Sequence, residues 1–173
     1  MRGSAKPGQV SLNGDAAPQS GESDDPIVGW TTSGTARWMI DASGCLVIAP
    51  LEGEESGELD KWDWYNGAPW SNYAYLIISA KIEGAIVVST ARDMFSGCSS
   101  LTSLDLSGLD ASSAEDMSDM FSGCPGLRTV TLGEKFTFVN PYFYYRRALP
   151  TPQGENLTGK WLSSADGKAY APE

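Results

Sequence analysis

Apolar residues in the middle of the chain change their spacing partway through a short stretch. Met117, Met120, Phe121 and Cys124 fall at i, i+3, i+4 and i+7, the spacing of one face of a short helix. Ser112 or Ser113 could cap its start, with Glu115 and Asp116 in the first turn, and Gly123 sits near its end. Val130 and Leu132 then alternate with Thr129 and Thr131, the pattern of a half-buried strand. The same succession stands 26 residues earlier, with Ala91, Met94, Phe95 and Cys98 followed by Leu104 and Leu106. Residues 93–106 and 119–132 are identical at eight of fourteen positions.

A fixed period of this length marks units that bury their apolar faces against one another, as in a solenoid. One further step back puts Ile78 and Ala80 inward and Ile77 and Ser79 outward. The pattern predicts three stacked parallel strands near 76–81, 102–106 and 128–132, about 4.8 Å apart, joined by helix-containing arcs. Cys98 and Cys124 stack at equivalent positions, a spacing that a disulfide tolerates, although buried reduced thiols suit a small apolar site.

The run Met-Phe-Ser-Gly-Cys-Ser-Ser-Leu-Thr-Ser-Leu-Asp-Leu-Ser-Gly-Leu-Asp-Ala-Ser-Ser-Ala-Glu-Asp-Met resembles the 26-residue repeat of BspA-like leucine-rich-repeat bacterial surface proteins, also called DUF285. The resemblance is close over residues 91–132. It is weaker over the preceding Trp-containing hairpin and from Leu149-Pro150-Thr151-Pro152 to Thr158-Gly159-Lys160-Trp161. It implies an α+β or all-β fold: a short leucine-rich-repeat-like solenoid of about three coils. It also implies a secreted or wall-attached protein that adheres to host or neighbouring-cell surfaces. On that reading the chain is a fragment trimmed of signal peptide and anchor.

The rest of the chain divides around the repeats. Met1-Arg2-Gly3-Ser4 reads as a vector scar, and residues 1–26 as that scar plus a disordered linker. Residues 27–74 read as an N-terminal β-hairpin and aromatic cap. Within it, Arg37 to Ile40 and Cys45 to Ile48 flank a turn over 41–44, and an acidic loop covers 51–60. Residues 75–134 form the repeats, and 135–173 a C-terminal aromatic and β cap. That cap contains an alternating segment at 135–139 and a small hairpin around Asp166-Gly167.

Composition narrows the function. The chain has 173 residues, 22 acidic against 12 basic, and a net charge of −10. An acidic chain without a basic stripe is a poor partner for nucleic acid or anionic lipid. No apolar run approaches a membrane span. There is no histidine, which removes the common general base, the Ser-His-Asp triad and the usual zinc site. No phosphate-binding glycine loop or nucleophile elbow is present. The expectation is a non-catalytic monomer that uses no cofactor or metal.

Three surfaces are candidates for partner contact. The first is the outward strand face, Ile77, Ser79, Ser103, Asp105, Thr129 and Thr131, which would meet a host or microbial surface protein. Its bland alternative is a solvated sheet surface. The second is the aromatic group Trp62, Trp64, Tyr65, Trp70 and Tyr73, which could stack on sugar rings or simply plug the end of the repeats. The third is Tyr144, Arg146 and Arg147, a pairing of residue types typical of interface hot spots but equally suited to a cap. The acidic pairs Asp60 with Asp63, Asp105 with Asp110 and Asp116 with Asp119 lack calcium-loop spacing and read as solvated faces. A stalk segment that spaces another domain is the remaining, purely structural, reading.

Overall fold

The structure is a computed structural model that describes residues 24–138, 161–162 and 169–170. It opens with an antiparallel meander of β1 (Val28–Ser33), β2 (Ala36–Ile40) and β3 (Cys45–Pro50). The turn between β2 and β3 is held by Asp41, whose Oδ1 accepts from the backbone N–H groups of Ser43 at 2.8 Å and Cys45 at 2.9 Å. The hairpin therefore falls where the sequence places it, with Trp38 opposite Ile48 and Ile40 opposite Leu46. The sequence reading did not separate β1 from this cap.

From β3 onward the chain makes repeated passes, each adding one strand to each of two sheets. The strands are β4 (Ser56–Glu58), β5 (Ser79–Ile82), β6 (Ala85–Val87), β7 (Ser103–Leu106), β8 (Leu109–Asp110) and β9 (Thr129–Leu132). The larger sheet has the order β1-β2-β3-β5-β7-β9, parallel from β3 onward, and the smaller is β4-β6-β8, all parallel. Neither sheet closes into a barrel. Leu104 and Val130 are direct partners on β7 and β9, as the repeat requires. Further on, β10 (Trp161–Leu162) pairs antiparallel with β11 (Ala169–Tyr170), and the turn expected at Asp166-Gly167 lies outside the described residues.

The arcs differ from expectation. Where a helix was predicted at 117–124, and one period earlier, the chain runs in successive turns. The only helical element among the described residues is a short 3-10 helix, Ser71–Leu76. The reason lies in the backbone hydrogen bonds. Ala91, Asp93, Phe95 and Gly97 donate to the carbonyls of Asp116, Ser118, Met120 and Ser122 on the next pass, at 2.7–2.9 Å. N–H groups spent between passes are not available to an α-helix. Asp93 and Asp119 interrupt any helix as well, with φ of 53° and 54° in the left-handed region, which Asp tolerates better than most residues. The inward face is still the one the spacing gave: Met117, Met120, Phe121 and Cys124 are all buried.

The first pass is also out of step with the others. Ser103 pairs with Thr129, 26 residues on, but Ser79 pairs with Ser103, only 24 residues on. A uniform shift of 26 therefore places the first strand two residues early. Ile77, expected outward, is fully buried where the 3-10 helix ends, whereas Ile78, expected inward, is 47% exposed. Ala80 and Ile82 are the inward pair of β5. The alternating segment at 135–139 is not a strand over its described part. Phe136 donates its N–H to Gly133 in a turn and packs against the core beside Phe138.

One continuous core lies between the sheets and the arcs. An aromatic series runs through it from Trp38 to Trp70, Phe95 and Phe121, with neighbouring centroids 6.0–6.3 Å apart. Glycine is required where one pass crosses another closely. A Cβ at Gly108 would fall on the carbonyl oxygen of Gly84, and one at Gly133 on that of Ser107.

Candidate functional site

Two surfaces present side chains in a built arrangement. The first is the outward face of the larger sheet. Strand pairing, antiparallel from Met39 to Val47 and parallel beyond, sets its side chains in rows that cross the strands, Cys45–Ser79–Ser103–Thr129 and Met39–Val47–Lys81–Asp105–Thr131. Ser79 and Ser103 are half-buried, while Asp105, Thr129 and Thr131 are exposed. Ile77 does not belong to this face, because it is interior. Lys81 does belong to it, and was missed because the shortened first pass hides its alignment with Asp105. Lys81 pairs with Glu83 at 2.6 Å, and this hydrogen bond holds its ammonium pKa above the usual value. Hydrogen bonds from Ser107 hold the Asp105 carboxyl below its usual range.

The second surface comes from the aromatic loop, which the structure divides. Trp70 has no exposed surface, and its indole N–H donates to the Met94 carbonyl at 2.8 Å. Trp62 is 8% exposed and donates to the Arg92 carbonyl at 2.7 Å. Both plug the end of the core and satisfy the main chain of the next pass, so neither forms a stacking platform. Tyr73 leans on Trp38 with centroids 6.1 Å apart. Trp64 and Tyr65 do the opposite: they are 65% and 76% exposed, and their rings lie against each other at a 33° tilt, centroids 3.6 Å apart.

The loop that carries this pair is pinned at both ends. Asp63 Oδ1 accepts from the backbone N–H groups of Tyr65 and Asn66 at 2.9 and 3.0 Å, and from Asn66 Nδ2 at 3.2 Å. Gly67 closes the turn by donating to the Asp63 carbonyl at 2.8 Å. Such an Asx turn fixes the backbone of short polar loops.

Beside the pair lies an open groove of about 420 Å3, lined by Lys61, Trp62, Asp63, Trp64, Thr90, Arg92, Glu115 and Asp116. Three passes of the chain contribute to it. Lys61 Nζ pairs with Glu115 at 2.6 Å, and this hydrogen bond lowers the Glu115 pKa. Arg92 pairs with Asp116 at 3.0 Å and with Asp93 at 3.4 Å. Burial raises the Asp116 pKa, but hydrogen bonds from Ser118 and Arg92 outweigh it, so the carboxyl sits below its usual value. Asp93 goes the other way: burial, with repulsion from Asp119 and Asp116, outweighs Arg92 and holds its pKa up.

Other candidates resolve more simply. Tyr144, Arg146 and Arg147 lie outside the described residues. Asp60 accepts from the Gly34 N–H at 2.7 Å, and Asp110 is engaged by Ser112 and by Lys135. Among the described residues no cluster of acidic or cysteine side chains is arranged to hold a metal ion. Nor is any helix there long and apolar enough to cross a membrane. Cys98 and Cys124 are buried free thiols, and burial pushes their pKa values up to about 12 and about 11. Cys45 is free and partly exposed.

Compared with models of protein families, with curated proteins and with solved structures, the chain matches none.

Proposed function

We propose that the chain is a non-catalytic binding module of a secreted or wall-attached bacterial surface protein. Its stacked passes form a short solenoid of the leucine-rich-repeat type, and it adheres to proteins on host or neighbouring cells. The observation that carries this reading is the in-register row Lys81–Asp105–Thr131 beside Ser79–Ser103–Thr129. Parallel strands hold these groups at fixed spacing on a rigid surface, so a partner laid along the rows meets ordered donors and acceptors with little entropy left to lose. The resemblance of residues 91–132 to the BspA-like repeat supports the same assignment.

The test is the double variant Asp105→Arg with Thr131→Arg, measured for binding to a panel of immobilised extracellular-matrix and mucosal proteins. Loss of binding with an unchanged far-ultraviolet spectrum is expected. Undiminished binding removes this face from consideration.

A further inference from the structure

The groove beside Trp64 is a second surface, on the arcs rather than on the strand face. Its chemistry is more specific than that of the rows. An indole left 65% exposed, on a loop tied down by three hydrogen bonds to Asp63, is a flat apolar plate held ready for a ligand. We propose that this groove binds an uncharged glycan, with a sugar ring laid on Trp64 and its hydroxyls reaching the paired charges opposite.

The argument for an uncharged ligand comes from the lining. Its cations are matched within the site, Lys61 to Glu115 and Arg92 to Asp116. Such pairs offer N–H donors and carboxylate acceptors in fixed positions, which suits hydroxyl groups able to do both. An anionic ligand would have to break one of these pairs to reach a cation. An anionic sugar would also meet three carboxylates, Asp63, Glu115 and Asp116, against two cations, on a chain with net charge −10. The groove volume of about 420 Å3 lies within the range of small-ligand sites. Trp62 forms part of the wall and is fixed by its bond to Arg92, so that wall does not need to rearrange when the site fills.

The experiment uses the full chain and titrates it with chitotetraose, mannohexaose and laminarihexaose as neutral probes. Sialyllactose and a heparin hexasaccharide serve as charged ones. Calorimetry is read together with the indole N–H resonances. At least one neutral probe should bind and move the Trp64 resonance. Trp64→Ala should weaken that binding at least tenfold, and Tyr65→Ser should weaken it measurably. Trp30→Ala, which removes an exposed indole elsewhere, should leave it unchanged. The melting temperatures of all three variants should stay near that of the parent. The proposal is overturned if no neutral probe binds, if Trp64→Ala binds as the parent does, or if the charged probes bind more tightly than the neutral ones. Loss of protein binding in Trp64→Ala without any sugar binding would also overturn it, because the pair would then be a protein hot spot. The reading of the strand face stands or falls separately, on Asp105 and Thr131.

Discussion

The rings of Phe95 and Phe121 lie 4° from parallel with their centroids 6.1 Å apart, one pass of the chain upon the next. Both are buried, and each fills the same place in its own pass. Phe95 has the other ring contact as well, to Trp70 at 6.3 Å, so it joins the repeats to the aromatic plug.

Removing that joint should be severe. Phe95→Ala is expected to cost about 3–5 kcal/mol, from lost transfer energy and the cavity left behind. A domain of this kind has only about 5–15 kcal/mol in total. Urea unfolding followed by tryptophan fluorescence measures the loss. A midpoint within error of the parent would mean that the ring is not part of the core.

Gly108→Ala tests the close crossing of passes. The added methyl meets the Gly84 carbonyl oxygen and the Ile82 side chain, and backbone cannot move aside as a flexible side chain can. We expect a loss of about 1–3 kcal/mol, as for other overpacked sites. Gly29→Ala is the control, because nothing lies within 4 Å of its Cβ position. Equal melting temperatures for the two variants would contradict the crossing.

Asp93 predicts an unusual pH dependence. Its folded pKa is raised above that of an ordinary aspartate, chiefly by burial, so the folded state holds its proton more tightly than the unfolded state does. The ionised form is therefore a handicap, absent below the unfolded pKa and fully present above the folded one. Asp93→Asn removes that charge and keeps a residue that accepts a φ of 53°. The variant should be more stable than the parent at pH 7, with the gap closing below pH about 4. Asp116 has the opposite sign: its pKa is lowered, so its contribution is present at neutral pH and fades on acidification. A variant at position 93 less stable than the parent at pH 7 would show that the Arg92 contact dominates.

Thiol reactivity should separate the three cysteines. Burial keeps Cys98 and Cys124 protonated at neutral pH, and the thiolate is the reactive form. Iodoacetamide on the native protein should modify Cys45 alone, and all three after unfolding. Rapid modification of Cys124 in the native state would show that the arc opens.

Much of this architecture can be read in the chain, but unevenly. Residues 93–106 and 119–132 announce the parallel pairing of β7 with β9 because the duplication keeps an apolar residue at every inward position. The earlier pass hides its alignment: it is two residues shorter, and Ala80 and Ile82 share little with Leu104 and Leu106 beyond being apolar. The smaller sheet escaped detection because β4, β6 and β8 have only two or three residues each, too few for alternation to show. Helical spacing at 117–124 misled for a different reason. Inward residues recur at three and four positions in a train of tight turns as they do in a helix, and the competing bonds lie between passes. Among the aromatics, Trp62 and Trp64 stand two residues apart with opposite fates. Trp62 goes inside, where it meets Trp70 and the carbonyl of Arg92, 30 residues further on, contacts that no local pattern announces.

The second pass meets the third through a ladder of backbone partners, from the Asp93 N–H on Ser118 to the Leu104 alignment with Val130, whereas the first meets the second through the indoles of Trp62 and Trp70. The ladder between the 26-residue passes does not depend on which copy supplies the next one. An in-frame gene duplication of a single pass would slot into the stack without retuning any contact beyond its two seams. Length can therefore change by recombination while the ends keep their own specialised residues, which frees the reach of such a protein to evolve independently of its grip.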